Sequence, residues 1–288
     1  MLKVKLLAYT PDCEKIVASA AKLCYSSSGV EDIMEGLTTE KTNDFLEKLV
    51  SMGHESPIEH VTFTFGMEGV SRSLTHQLVR HRLASYSQKS QRYVTEGQFD
   101  YIIPPEIEKI PEAKALFLQS MEEDQKIYDE LTVILKEKHY KDLIALGKSE
   151  KQAKSIAEKR AIEDARYILP NACETVIEVK MNLRSLIHFM NERLCTRAQW
   201  EIRQMALLMK KAIEEQYPEL AKYLVPKCEI HEGMPFCTEH STCGRHPKLK
   251  VIYDDYTKLQ ELIYESKNGI ITDIDLAQKF WDIFCKEE

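Results

Sequence analysis

The chain has 288 residues, 43% of them hydrophobic, which is enough for one sizeable domain or for one domain with an appendage. Its formal net charge of -7 argues against general binding to nucleic acid or to membrane surfaces, so an anionic partner should be a small molecule. The N-terminal apolar run is too short for a signal peptide and no later run approaches a membrane span, so we expect a cytoplasmic protein. Its eight scattered cysteines are expected to be reduced.

The first quarter of the chain predicts one strand and two helices. Val4, Leu6 and Ala8 alternate with Lys3, Lys5 and Leu7, as in a half-buried strand, and Pro11-Asp12 leads into a helix ending near Cys24. The acidic segment at residues 28–36 is interpreted as a loop. Residues 39–52 predict a second helix, which ends before Gly53.

The next segment, HESPIEH at residues 54–60, carries two histidines and two glutamates around Pro57. These are metal-ligand types, but their spacing is not that of a helical ligand pair, so a structural role is favoured over a metal site. Residues 61–67 then alternate apolar with small or polar side chains, which predicts a strand.

The stretch from residue 69 to residue 95 has no Asp or Glu, although the whole chain has 46. Its cations and hydroxyl groups favour an anion site; the alternative is a solvated basic face. We expect a helix that extends through Gln77, Arg80 and Arg82. On such a helix Gln77 and Arg80 share a face, whereas Arg80 and Arg82 diverge by roughly 200°, which suggests two bound anions.

The remaining elements indicate an α+β fold, with a central mixed or antiparallel sheet flanked by long helices. Helices are predicted at residues 111–138 and 149–168, the latter opened by a capping-box pattern of Ser149 and Gln152. A strand follows at residues 174–181, and Asn182 is expected to start the next helix. A further helix has an apolar stripe with Met205 and Met209, which are interpreted as core residues.

The chain changes character after residue 225. We therefore expect a catalytic domain at residues 1–225 and an extension at residues 226–288, with a C-terminal helix near residues 274–284. The extension repeats Cys-x2-His three times, at Cys228, His231, Cys237, His240, Cys243 and His246. An ordered loop with reduced thiols and no metal is favoured, and a zinc site is the alternative, because known finger and ribbon spacings are not matched.

Several segments carry a family resemblance. Arg80-His81-Arg82, seven further residues and Ser90 resemble the RHR-x7-S signature of the flavin-dependent thymidylate synthases, and the flanking SYSQKSQRY is similar to that family as well. DARYILP around Arg166 and NLRSLIHFMNERLCTRAQWEIRQMA at residues 182–206 also look like blocks of the family. Without the resemblance, Arg166 would be interpreted as a surface residue near a helix C-terminus.

The resemblance implies methylation of dUMP to dTMP. The carbon donor would be 5,10-methylenetetrahydrofolate, which is released as tetrahydrofolate, and FAD reduced by NADPH would supply the hydride. Classical thymidylate synthases instead use a nucleophilic cysteine, and the RHR-x7-S segment contains none. The family is also homotetrameric, with active sites shared between chains.

The resemblance assigns residues to three roles. Arg193 would activate the uracil ring by stabilising negative charge. The flavin contacts implied are His54, Ser56, Arg80, His81, Arg82, Gln88, Asn182, Arg184 and His188. The dUMP contacts implied are Gln77, Leu78, Val79, Arg80, Gln88, Lys89, Ser90, Gln91, Arg92, Arg166 and Arg193.

Two other functions remain as alternatives. An NADPH-dependent flavin reductase would need the flavin residues but not the combination of Ser90, Arg92, Arg166 and Arg193. A nucleotide-binding regulatory protein would keep the dUMP residues and bind no flavin.

Overall fold

The computed structural model describes residues 1–38, 54–92, 98–231 and 233–268, together with the single residues 42, 272, 275 and 279. Its centre is a four-stranded antiparallel sheet with the strand order β1-β2-β4-β3. The strands are β1 (Lys3–Tyr9), β2 (Thr62–Ser71), β3 (Ala84–Gln88) and β4 (Glu174–Asn182). The predicted α+β class is confirmed, and the sheet is antiparallel.

Helices surround the sheet. Those before the last strand are α1 (Cys13–Leu23), α2 (Val30–Glu35), α3 (Arg72–Leu78), α4 (Pro105–Glu108), α5 (Pro111–Ala145) and α6 (Glu150–Ala165). Those after it are α7 (Leu183–Arg193), α8 (Trp200–Glu214), α9 (Pro218–Ala221) and α10 (Leu249–Lys267). Short 3-10 turns lie at Pro57–His60, Arg166–Ile168 and Lys227–Glu229. None of the helices in the described part of the chain is both long and apolar enough to cross a membrane.

One face of the sheet forms the main core. Alternate residues of β2 and β4 are buried because side chains point to opposite faces at every second position; Phe63, Phe65 and Val179 are fully buried. The apolar stripes of α7 and α8 cover this face. Met205 and Met209 are fully buried in it, so their interpretation as core residues is confirmed.

A bulge near the end of β2 requires a glycine at residue 69. The pairing register shifts between Met67 and Val70, and Gly69 has a φ of 69°. A Cβ at Gly69 would lie 2.6 Å from the carbonyl oxygen of Met1, so both the backbone angle and the available space require glycine.

Several element boundaries differ from the sequence predictions. The acidic segment near residues 28–36 contains α2 rather than only a loop, and α5 extends to Ala145. The strand predicted at residues 61–67 continues to Ser71, while β3 and α10 were not predicted at all. The helices predicted at residues 39–52 and 274–284 lie outside the described residues, apart from isolated positions.

One correction affects the candidate site directly. Helix α3 ends at Leu78, and Arg80 and Arg82 lie in the connection to β3. The prediction that Arg80 and Arg82 diverge on one helix is therefore wrong, because both residues lie beyond the last turn of α3. A two-anion site needs other support.

Candidate active site

The N-terminus of α3 is fixed by a buried carboxylate. The Ser71 hydroxyl accepts a hydrogen bond from the Leu74 backbone N–H at 3.0 Å, which caps the helix. Glu201 of α8 accepts hydrogen bonds from the Ser71 backbone N–H at 2.7 Å and from its hydroxyl at 2.5 Å. Glu201 is only 2% exposed, and burial raises its pKa. This contact holds the start of α3 in place.

The other end of α3 is fixed by Tyr86 of β3. Its hydroxyl donates toward the backbone carbonyls of Leu78, at 2.9 Å, and His81, at 2.7 Å. Burial raises the pKa of Tyr86 to about 12, so the hydroxyl stays protonated and remains a donor at neutral pH. The connection that carries Arg80, His81 and Arg82 is therefore anchored on both sides.

His81 contacts the C-terminal half of α7. The Arg193 Nε–H donates to His81 Nε2 at 3.1 Å, and the rings of Phe189 and His188 lie 4.9 and 5.9 Å from the His81 ring. Burial lowers the pKa of His81 to about 4, with further contributions from Arg193 and His188. His81 is therefore neutral at pH 7, and its Nε2 acts as an acceptor for the guanidinium.

The start of α7 contacts the HESPIEH segment. Arg184 forms ion pairs with Glu55 at 2.7 Å and with Glu59 at 2.6 Å, and these carboxylates raise its pKa. The exposed residues His54 and Ser56 lie beside this contact in the chain. Both glutamates are thus partnered by arginine, which favours the structural interpretation of this segment over a metal site. Asn182 caps α7 by accepting from the Ser185 N–H at 2.8 Å, as predicted.

A second group of contacts forms where α6 ends. Arg92 Nε lies 2.8 Å from a carboxylate oxygen of Glu163, and Arg166 Nε donates to the Glu163 backbone carbonyl at 3.1 Å. The Arg166 guanidinium also lies 5.7 Å from the centre of the Tyr167 ring. The Ser90 hydroxyl accepts from the Arg92 backbone N–H at 3.2 Å. Two of the expected nucleotide arginines therefore meet at one glutamate.

The remaining expected nucleotide residues follow α3 and β3. Leu78 is fully buried in the core, so it can reach a ligand only through its backbone. Gln88 Nε2 donates to the Thr75 hydroxyl at 3.1 Å. Lys89 and Val79 are exposed, while Gln77 and Gln91 are half-buried. Ligand contacts for all of these residues stay a prediction.

Arg80 and Arg82 differ from the other arginines of the site. Both are exposed, and within the described residues neither guanidinium has a hydrogen-bond or ion-pair partner. Arg184 and Arg92, by contrast, each face a carboxylate. The connection after α3 therefore presents two uncompensated positive charges, which suits an anionic group.

Sequence reasoning missed three residues that position this site. Glu201, Tyr86 and Glu163 each hold a residue of the predicted set, or the helix that carries it. Only Glu201 had a usable signal: it lies four residues before Met205 and eight before Met209, so an acid occupies the apolar stripe of α8. Nothing local in the sequence marks Tyr86 or Glu163.

Comparison with known proteins supports the sequence resemblance. The model of the family described as thymidylate synthase complementing protein matches residues 5–219. A flavin-dependent thymidylate synthase of Clostridium tetani is 54% identical over 253 residues, which cover 88% of this chain and 97% of that protein. Proteins of the same name from Nitratidesulfovibrio vulgaris and Geobacter sulfurreducens are 44% and 39% identical. These alignments cover 85% and 88% of this chain, and 95% and 98% of those proteins. Because the family match and the relatives extend over most of the chain, this protein belongs to the flavin-dependent thymidylate synthase family.

Proposed function

We propose that this protein converts dUMP to dTMP, with 5,10-methylenetetrahydrofolate as carbon donor and NADPH as reductant, and releases tetrahydrofolate. The observation that carries the proposal is the hydrogen bond from Arg193 to His81. It joins two family-like segments that are 112 residues apart in the sequence. Activation of a uracil ring requires a cation in a fixed orientation, and this hydrogen bond orients the Arg193 guanidinium.

Arg193 is assigned the activation of uracil. C5 becomes a stronger nucleophile when negative charge on the N3 and O4 side of the ring is stabilised, and a guanidinium can donate along that planar edge. The acceptor of the Arg193 Nε–H is the neutral imidazole of His81 rather than a carboxylate. The full positive charge of Arg193 therefore remains available to the substrate, while His81 orients the guanidinium.

The residues around the RHR connection fit FAD by their donor set. FAD, when bound and reduced by NADPH, supplies the hydride that completes the methyl group. Arg80 and Arg82 have no ionic partner among the described residues, so their charge suits a diphosphate, and neutral His81 suits an aromatic ring system. Arg184 already faces Glu55 and Glu59, so we assign it to positioning the segment that carries His54 and Ser56. Asn182, His188 and Gln88 complete the proposed flavin set.

Binding of dUMP is assigned to the segment from Gln77 to Arg92 together with Arg166. Ser90 is a ligand rather than a nucleophile in this proposal, because its hydroxyl accepts from the Arg92 N–H. A serine nucleophile needs a base within hydrogen-bond reach, and among the described contacts of Ser90 there is none. Arg92 and Arg166 share Glu163, so phosphate binding would displace the Glu163 carboxylate from Arg92.

We further propose a cytoplasmic homotetramer with active sites shared between chains. Within one chain the proposed residues fall into a group around Arg193 and a group around Glu163. The long helix α5 also leaves Leu116, Val133 and Ile134 more than 60% exposed, which suits burial against another copy. No nucleic-acid or membrane partner is proposed.

The experiment that tests this function measures flavin and nucleotide dependence together. The purified chain should be yellow or be reconstituted by FAD, and dUMP should change its rate of NADPH oxidation. dCMP is the matched control ligand because it keeps the sugar and phosphate but lacks O4.

Two results would contradict the proposal. A chain that cannot take up FAD would favour the regulatory protein. NADPH oxidation without dUMP-dependent loss of methylenetetrahydrofolate would favour the flavin reductase.

A further inference from the structure

Four cysteines from distant parts of the chain lie around one pocket. Cys195 follows α7, whereas Cys228, Cys237 and Cys243 belong to the extension after residue 225. All four are thiols in the structure. The sequence pattern had suggested three Cys-x2-His pairs, but Cys195 was not part of it. The pocket is therefore lined by thiols from two regions of the chain, and not only by cysteines of the local Cys-x2-His pattern.

The interior of this pocket has a volume of about 20 Å³. A site needs roughly 10 to 15 Å³ on this measure to hold a single water molecule. The pocket therefore has room for one small ion and not for an organic ligand. Four cysteines line this space, and four thiolates are one of the ligand sets of closed, four-coordinate structural zinc sites, although among the described residues only the ligand atoms of Cys228, Glu229 and His246 already lie within 4.8 Å of one another.

The backbone of the extension brings the cysteines to the pocket. The Cys237 N–H donates to the Pro247 carbonyl at 2.7 Å, and the Phe236 N–H donates to the Cys228 carbonyl at 3.1 Å. Thr242 donates to the His246 carbonyl at 2.7 Å, which closes the turn around Cys243. These hydrogen bonds fold the segment whose Cys228, Cys237 and Cys243 line the same pocket.

The histidines of the pattern have other contacts. His231 stacks on Phe236, with ring centres 5.0 Å apart, and does not line the pocket. His246 does line it and lies with Glu229 within 4.8 Å of the Cys228 sulfur. His246 and Arg245 both lie 3.3 Å from the same Glu229 oxygen. Cys228 thus has a neighbour, His246, whose ring can orient a metal-bound thiolate, as outer partners of metal ligands do.

Cationic side chains line the pocket beside the cysteines. Arg197, Lys227 and Arg245 are among the lining residues, and each of them also pairs with a glutamate. Four thiolates around one Zn²⁺ carry a net charge of about -2, which cations beside the site would help to balance.

We propose that Cys195, Cys228, Cys237 and Cys243 bind one Zn²⁺ and thereby fasten the extension to the loop that follows α7. Cys195 lies two residues after Arg193, so the metal would also restrain the chain next to that residue. Structural zinc contributes directly to folding free energy, so metal removal should release the extension. This inference concerns the metal alone and does not depend on the proposed reaction.

The test is the zinc content of the full-length chain, purified without chelator or affinity metal. We expect one zinc per chain that survives desalting, and replacement by Co²⁺ should give an intense thiolate-to-cobalt absorption band. Cys237→Ser should reduce the bound zinc to a small fraction. Cys24→Ser is the matched control, because Cys24 is exposed at the end of α1, and it should keep the full amount.

His246→Ala separates the four-thiolate site from one that includes histidine, and we expect it to retain zinc. Its loss of zinc, or retention by Cys237→Ser, would overturn the proposed ligand set. Because a variant can fail to fold, the wild-type chain is decisive by itself. If the wild-type chain contains no stoichiometric zinc and gives no thiolate-to-cobalt band, the proposed metal site is overturned.

Discussion

Replacement of Arg193 tests the role assigned to its guanidinium. Arg193→Ala removes a charge-assisted hydrogen bond to His81 and the positive charge proposed to face uracil. Loss of one such stabilising donor costs about 3 to 4 kcal/mol in the transition state, or roughly a hundredfold to a thousandfold in turnover. Arg193→Lys keeps the charge but loses the planar pair of donors, so we expect an intermediate rate.

The assay is dTMP formation at saturating ligands, with FAD content checked first for each variant. Flavin reduction by NADPH should persist, since the proposed role of Arg193 concerns the nucleotide. The titration of His81 gives a readout in the folded protein: removal of Arg193 takes away a charge that lowers its pKa, so this pKa should rise from about 4. Burial is the larger cause, so the pKa should stay below its usual value of 6.5. Near-normal turnover in Arg193→Ala would refute the assigned role.

Three further predictions follow from individual contacts. Ser90→Ala should weaken dUMP binding by about 0.5 to 1.5 kcal/mol, or up to about 3 with a charged partner, while turnover at saturating dUMP persists; an inactive variant with normal binding would instead support a nucleophilic serine. Glu201→Gln should lower the free energy of unfolding by about 1 to 3 kcal/mol, because it replaces one of the two buried carboxylate oxygens that accept hydrogen bonds from Ser71. The control Glu214→Gln, at an exposed position of the same helix, should be neutral in the same urea titration. Equal effects of the two substitutions would contradict the anchoring role of Glu201. The depressed pKa of His81 means that the unfolded chain binds more protons between pH 6.5 and about 4, so stability falls as the pH falls through this window, by at most about 3 kcal/mol. His81→Gln should remove that part of the pH dependence in urea titrations, and an unchanged slope would show that His81 does not titrate as described.

The features that the sequence predicted are those with a local periodic signal. Strands β2 and β4 alternate buried and exposed residues, and α8 has a continuous apolar stripe. The caps at Ser149 and Asn182 were also readable, because a capping side chain bonds to a backbone N–H three residues away. Each of these signals lies within a short window of sequence.

The features that were missed either depend on contacts between residues far apart in the sequence or lie in an edge strand without an apolar face. Strand β3 is an edge strand with the sequence ASYSQ, so it has no apolar face strong enough to reveal a period of two. The expected helix through Arg82 ends early because Tyr86 binds the carbonyls of Leu78 and His81. Glu201 contacts Ser71 across 130 residues, which no local pattern records. The thiol pocket likewise needs Cys195, far from the extension in sequence.

The folate product tests the central claim most directly. A reaction of the purified chain with dUMP, 5,10-methylenetetrahydrofolate, FAD and NADPH should give equal amounts of dTMP and tetrahydrofolate, because the hydride comes from the flavin and the folate gives up only its carbon. Dihydrofolate in place of tetrahydrofolate, or no dTMP from FAD-loaded protein, would contradict the account.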